Sequence, residues 1–261
     1  MASSMMLASY ALARREVVRF LRQRNRVFGA LAQPVLFWVI FGAGLSPSFR
    51  TGSVGYNEYF FPGIIVLILL FTAIFSTISI IDDRNSGFLQ GVLVAPIPRS
   101  AIILGKVGGT TVLAVGQALL VSIAAPMLGM SIAPAGILLS IPVLVLVSIA
   151  LAGLGIWIAW RMDSTQGFHA IMTSGLMPMW LLSGAFFPPG GVPRWLAVVI
   201  ACNPLTYGVA LLRHALYLGN PAATASLPSP ALCLAATLAF ACATLVGASA
   251  AARARTAGAL P

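Results

Sequence analysis

Six predominantly apolar runs divide the sequence, at about 27–45, 59–81, 107–127, 135–160, 167–187 and 231–251. Each approaches or exceeds the ~20 residues an α-helix needs to cross ~30 Å of hydrocarbon at ~1.5 Å per residue. Few folds remain open to such a chain. Backbone polar groups inside a bilayer have to be satisfied within the protein, which makes spans of this kind helices. Composition agrees: 59% of the 261 residues are hydrophobic and 8% are charged, whereas soluble domains carry about 25% charged residues. One soluble core cannot hide that much apolar surface. The expected fold is therefore all-α and polytopic, with six transmembrane helices. Pro34 inside the first span is tolerable, because neighbouring helices satisfy freed backbone groups. No internal repeat is evident.

The net charge of +10 does not point to nucleic acid, because the basic residues cluster at the ends of apolar runs. With the N-terminus inside and six spans, the inner segments hold twelve Lys and Arg. The outer segments hold three: Arg50, Arg194 and Arg213. The positive-inside rule selects this orientation, with both termini cytoplasmic. Residues 1–26 form a separate amphipathic unit. Leu12, Val17, Phe20 and Leu21 share a face, and Arg14, Arg15, Arg19, Arg22, Arg24 and Arg26 supply charge. The expected element is a helix lying on the inner surface, with its arginines near anionic headgroups. No small-residue cleavage site accompanies the first apolar stretch, so no cleavable signal peptide is expected. Cys202, Cys233 and Cys242 lack metal-ligand spacing.

Between spans five and six the chain reads "WLLSGAFFPPGGVPRWLAVVIACNPLTYG" over 180–208. Residues 195–202 are too few to cross as one helix, while 195–212 would suffice if Pro204 only kinked them. Positive-inside bias holds for six or seven spans, at twelve to three or eleven to four, so charge discriminates weakly. Pro204 removes a helical hydrogen bond and pushes Asn203 out of the helical region. This favours a re-entrant hairpin over 188–215, entered from outside, with a seventh span as the alternative. The Pro-rich stretch 220–230 reads as an outer loop before the last span.

Catalytic chemistry has little to work with. Asp82, Asp83, Asp163 and Glu58 fall at span ends, where they mark helix termini or make local ion pairs. His169 and His214 read as satisfied polar groups. Ionisable groups are nearly absent from span centres, which argues against an ion-coupled carrier. The run "SAIILGKV" at 100–107 resembles a phosphate loop but lacks both the leading Gly and the Ser or Thr after the Lys. Neither a catalytic residue nor a metal ligand is expected in this chain.

The inner segment 82–106, "DDRNSGFLQGVLVAPIPRSAIILGK", is long and apolar for a connector. A short helix over 86–94 is expected, stopped by Pro96 and Pro98. Phe88, Leu89, Val92, Leu93 and Val94 give it an apolar face, and Arg84, Arg99 and Lys106 form a basic rim. This suggests a docking surface; packing onto neighbouring spans or headgroups is the alternative.

The order of these features resembles the membrane permeases of type 2 ATP-binding-cassette exporters over nearly the whole chain. It comprises the basic amphipathic start, six spans, "GFL…VLVAPIPRSAIILGK", "LLSGAFFP" and "NPLTY" before a basic residue. "SGAFFP" and "NPLTY" together are similar to the branch holding daunorubicin-type resistance permeases and nodulation-factor exporters. The resemblance implies a coupling helix around Gly87–Pro96, including Ala95, which seats in an ATPase subunit. It implies an interface helix at the N-terminus. It also implies an outer re-entrant gate with Ser183, Gly184, Phe187, Pro188, Asn203, Pro204 and Tyr207. Two permease chains would pair with two ATPase chains, the second permease most simply an identical copy. ATP and magnesium would sit in the ATPase, and no cofactor in this chain. The family's acidic residues after the coupling glycine are replaced here by Gln90 and Gly91.

The expected activity is export of a hydrophobic or amphipathic substrate across a bacterial inner membrane: a drug, or a lipid-linked or lipo-oligosaccharide or polysaccharide. Phe37, Trp38, Phe41, Phe71, Phe75, Met177, Met179 and Trp180 are candidates to line a pathway between spans one, two and five. Each of them alternatively packs helices or faces lipid. An ATP-independent carrier and a non-transport assembly factor are the other classes open to this sequence.

Overall fold

A computed structural model describes residues 2–45, 50–51, 54–94, 98–128, 130, 132–187 and 192–257. They are almost entirely helical, as expected. The exception is a two-residue antiparallel ladder, Arg50–Thr51 (β1) against Val54–Gly55 (β2). The long helices are α1 (Ala2–Arg22), α2 (Arg24–Leu45), α3 (Tyr56–Thr77), α6 (Arg99–Ala124), α7 (Pro134–Ala159), α8 (Thr165–Trp180) and α12 (Pro230–Ala257). Shorter helices are α4 (Ser79–Asn85), α5 (Phe88–Val94), α9 (Arg194–Cys202), α10 (Pro204–Leu216) and α11 (Pro221–Thr224). Five helical stretches are individually long and apolar enough to cross a bilayer: α2, α3 with α4, α6, α7 and α12. The fifth expected span consists of the 16 residues of α8 and a π-helical turn, Leu181–Ala185.

At the centre stands α3, buried on all sides over most of its length. Its sequence explains this, being apolar all round with no polar stripe to turn outward. The helices α2 and α8 flank it through narrow stripes. In α2 the stripe is Ala30, Pro34, Trp38 and Gly42; in α8 it is Phe168, Met172, Leu176 and Trp180. Four-residue spacing places such side chains on one helix face, and the rest of each helix is exposed or only partly covered. The helices α6, α7 and α12 complete the bundle on the other side.

Glycines set the close approaches. At Gly105 a Cβ would lie 2.9 Å from the Ser9 carbonyl oxygen, and at Gly109 it would lie 2.9 Å from that of Ala13. Small residues here let α1 settle onto the N-terminal half of α6, as small residues do at membrane helix interfaces.

One boundary differs from expectation in a way that matters. The third span begins at Arg99, not near Val107, because Pro98 is held extended (φ −67, ψ 140) and starts the helix there. Arg99 and Lys106 therefore belong to a span and not to a connector.

Candidate functional site

The end of the bundle that carries α1 is built around Lys106, which is 5% exposed. Its Nζ donates to Glu16 Oε2 at 2.6 Å, Asp83 Oδ2 at 2.6 Å and Ser79 Oγ at 2.8 Å. An ammonium has three protons, and here all three are used. Arg15 grips Asp83 with both Nη atoms, at 2.8 and 3.1 Å. Arg19 bridges Asp83 at 2.6 Å and Asp82 at 3.1 Å. Arg26 reaches Asp82 at 3.0 Å. Ser76 donates to Glu16 Oε1 at 3.3 Å and shares a hydrogen bond with Thr110 at 2.7 Å. Three carboxylates thus meet four cations, joining α1 and the start of α2 to α3, α4 and α6. Buried charges survive only when paired and hydrogen-bonded.

This arrangement corrects the expected basic rim. Lys106 faces the bundle interior because α6 starts early enough to bring it beside Glu16. Arg15 and Arg19 are drawn from headgroup contact into ion pairs, whereas Arg14 and Arg22 are exposed. Arg84 closes the C-terminal end of α7, donating to the carbonyls of Met162 at 2.7 Å and Ala159 at 3.2 Å. A guanidinium satisfies free helix carbonyls there and complements the dipole. Its pair with Asp163 is exposed. Of the expected rim, Arg99 is exposed at the α6 N-terminus. The amphipathic face of α1 is split, with Phe20 buried and Leu21 exposed, as are Met6, Leu7 and Tyr10.

The short helix α5 projects from this cluster. Gly87 turns the chain with φ +75, a conformation that glycine adopts without strain. Leu89 is buried, while Phe88, Gln90, Gly91 and Val94 are exposed. The guanidinium of Arg15 lies over the Phe88 ring, 3.6 Å from its centroid. One arginine therefore contacts both the buried cluster and the projecting helix. Ala95 and Pro96 lie outside the described residues, as does the side chain of Leu93.

At the opposite end, α9 and α10 meet at Asn203 with a bend of 79°. The Asn-Pro-Leu-Thr-Tyr run explains how the bend holds. Asn203 Oδ1 accepts from Leu205 N at 3.0 Å, capping α10, and its Nδ2 donates to the Met179 carbonyl at 2.5 Å. Thr206 donates to the Ile200 carbonyl at 2.7 Å, and Tyr207 to that of Ala201 at 2.8 Å. Each polar residue satisfies a backbone group that the break sets free. Asn203→Ala is expected to lower stability by about 1–3 kcal/mol. Asn203→Ser, which keeps the cap but cannot reach Met179, is expected to fall between, read as thermal midpoints in detergent.

The turn after α8 is tied in turn to α3. Gly184 has φ 71, and its carbonyl accepts from Tyr59 OH at 2.7 Å. Ser183 donates to the Trp180 carbonyl at 2.6 Å. Phe186 packs edge-on against Phe41 and Phe60. Pro188 lies outside the described residues.

The pathway candidates divide by burial. Trp180 is fully buried, with its indole nitrogen donating to the Gly63 carbonyl at 2.7 Å. Phe71 and Trp38 are buried too. All three pack helices within the chain, because α3 is central and not peripheral. Phe37, Phe41, Phe75, Met177 and Met179 are only partly covered.

Sequence reasoning missed Glu16, Asp83 and Arg213 as interior residues. Glu16 carried a signal: it is the single acidic residue among six arginines at the N-terminus.

The profile of the ABC-2 type transporter family matches residues 8–217, from α1 through the end of α10. This chain belongs to that family. Among relatives of this ABC-2 permease is nodulation protein J of Rhizobium leguminosarum bv. viciae, 29% identical over 211 residues, covering 80% of this chain and 81% of that one. Transport permease ycf38 of Cyanophora paradoxa is 27% identical over 209 residues, covering 78% and 72%. The ycf38 of Porphyra purpurea is 26% identical over the same length. The family and these relatives make the chain a multi-pass transport permease.

Proposed function

We propose that this permease exports an amphipathic substrate using ATP hydrolysed, with magnesium, on a separate ATPase subunit. Two permease copies and two ATPase chains form the working unit in a bacterial inner membrane, with both termini cytoplasmic. The observation that carries this reading is α5. A short helix with Phe88 and Val94 exposed stands beyond the inner end of the central span and is braced by Arg15. A rigidly mounted projection is what a neighbouring subunit needs in order to push on a bundle. Closure of the ATPases would move α5, α1 and α3 together, since Arg15 links α5 through Phe88 to the ion cluster that ties α1 to α3 and α4.

The broad uncovered faces of α2 and α8 support a second copy on that side, with the pathway between them. Partly covered Phe37, Phe41, Phe75 and Met177 would line it, offering an adaptable apolar wall. The bent pair α9–α10 forms the outer gate as a re-entrant hairpin. Inside-out membrane vesicles test the reading with a panel of fluorescent amphipathic probes. Uptake is expected with ATP and not with a non-hydrolysable analogue. Uptake that follows an ion gradient and ignores ATP would assign the chain to the secondary carriers instead.

A further inference from the structure

Arg213 is 3% exposed and makes no ion pair among the described residues. Its Nη2 donates to the carbonyls of Tyr59 at 3.0 Å and Gly184 at 3.4 Å. The Tyr59 ring lies under the guanidinium, 4.1 Å from centroid to Cζ. Among the described residues, its Nε has no hydrogen-bond partner. Carbonyl dipoles and a ring face offset only part of the cost of burying this charge. The cluster at the inner end shows the contrast, since every buried cation there meets a carboxylate.

Arg213 also lines a cavity of about 380 Å³ between the hairpin and the loop before α12. That volume falls within the ~300–1,000 Å³ range of small-ligand sites. Ser183 and Ser226 add hydroxyls to the wall, while Ile200, Val209 and Leu227 make the remainder apolar. A buried guanidinium with no carboxylate partner among the described residues, in the wall of a largely apolar cavity, matches a molecule with an oxyanion at one end and a hydrocarbon tail.

We propose that this cavity is a recognition site for the phosphate or carboxylate head of an anionic amphiphile, held by Arg213 through charge-assisted hydrogen bonds. The inference rests on the outward placement of the hairpin in the proposed exporter, where the site would receive cargo near the outer surface. Binding itself needs no ATPase, so the two readings fail separately.

The test is native mass spectrometry of the full chain in neutral detergent, titrated with dodecyl phosphate. One saturable adduct per chain is expected. Arg213→Gln is expected to weaken it ten- to hundredfold, a range typical of losing hydrogen bonds to a charged group. Arg213→Lys is expected to fall between. Ala201→Trp blocks the cavity from its exposed rim without altering Arg213, and is expected to weaken binding as much. This second variant keeps the test decisive if Arg213→Gln fails to fold. Inorganic phosphate at equal concentration should not displace the adduct; if it does, the site takes a free oxyanion and the amphiphile assignment is wrong. Equal binding by wild type and Ala201→Trp would overturn the site altogether.

Discussion

Lys106→Met is expected to destabilise the permease by about 3–5 kcal/mol, the range found when one partner of a buried ion pair is removed. The loss falls mainly on Glu16. Asp83 keeps two arginines, at 2.8 and 2.6 Å, but among the described residues Glu16 retains only Ser76, at 3.3 Å. The double variant Glu16→Gln, Lys106→Met removes the stranded charge and is expected to recover much of the loss. Thermal midpoints of detergent-solubilised protein read the difference as a double-mutant cycle. A wild-type midpoint for Lys106→Met would mean that the cluster contributes nothing to holding α1 on the bundle.

Gly87→Trp is expected to abolish ATP-driven transport while the protein still inserts. Two effects can be separated. The backbone at φ +75 penalises any side chain, by about 1–2 kcal/mol, and Gly87→Ala isolates that part. A Cβ at Gly87 would meet no atom of the described residues within 4 Å, which leaves room for the indole to project beside the exposed side of α5. There it would occupy the surface proposed to contact the ATPase. Normal transport by well-inserted Gly87→Trp would remove α5 from the coupling role, whatever Gly87→Ala does.

The spans were legible because length and hydropathy act locally: ~20 apolar residues in a row have one solution in a bilayer. The break at Asn203-Pro204 was legible for the same reason, since proline acts on its own turn and on the residue before it. What stayed hidden depends on partners distant in sequence. Lys106 reads as a rim charge until Glu16, 90 positions away, is brought against it. Arg213 reads as an outer topology marker until its carbonyl partner in Tyr59, 154 positions away, pulls it inside. Trp180 and Phe71 read as pathway aromatics because composition says they are buried in something. Only the central place of α3 says that the something is this chain. The NPLTY run shows mostly the reverse: Asn203, Thr206 and Tyr207 serve an amide and two carbonyls that the bend exposes, and one bond, from Asn203 to Met179, reaches a residue 24 positions away.

The central claim is that this chain takes its energy from an ATPase docked on α5. The most direct measurement is purification of the tagged chain from its native membrane in mild detergent, with co-purifying proteins identified and assayed for ATP hydrolysis. The account predicts recovery of a Walker-motif ATPase with the wild type and its loss with Gly87→Trp. Reproducible recovery of the permease alone, across several detergents, would contradict it.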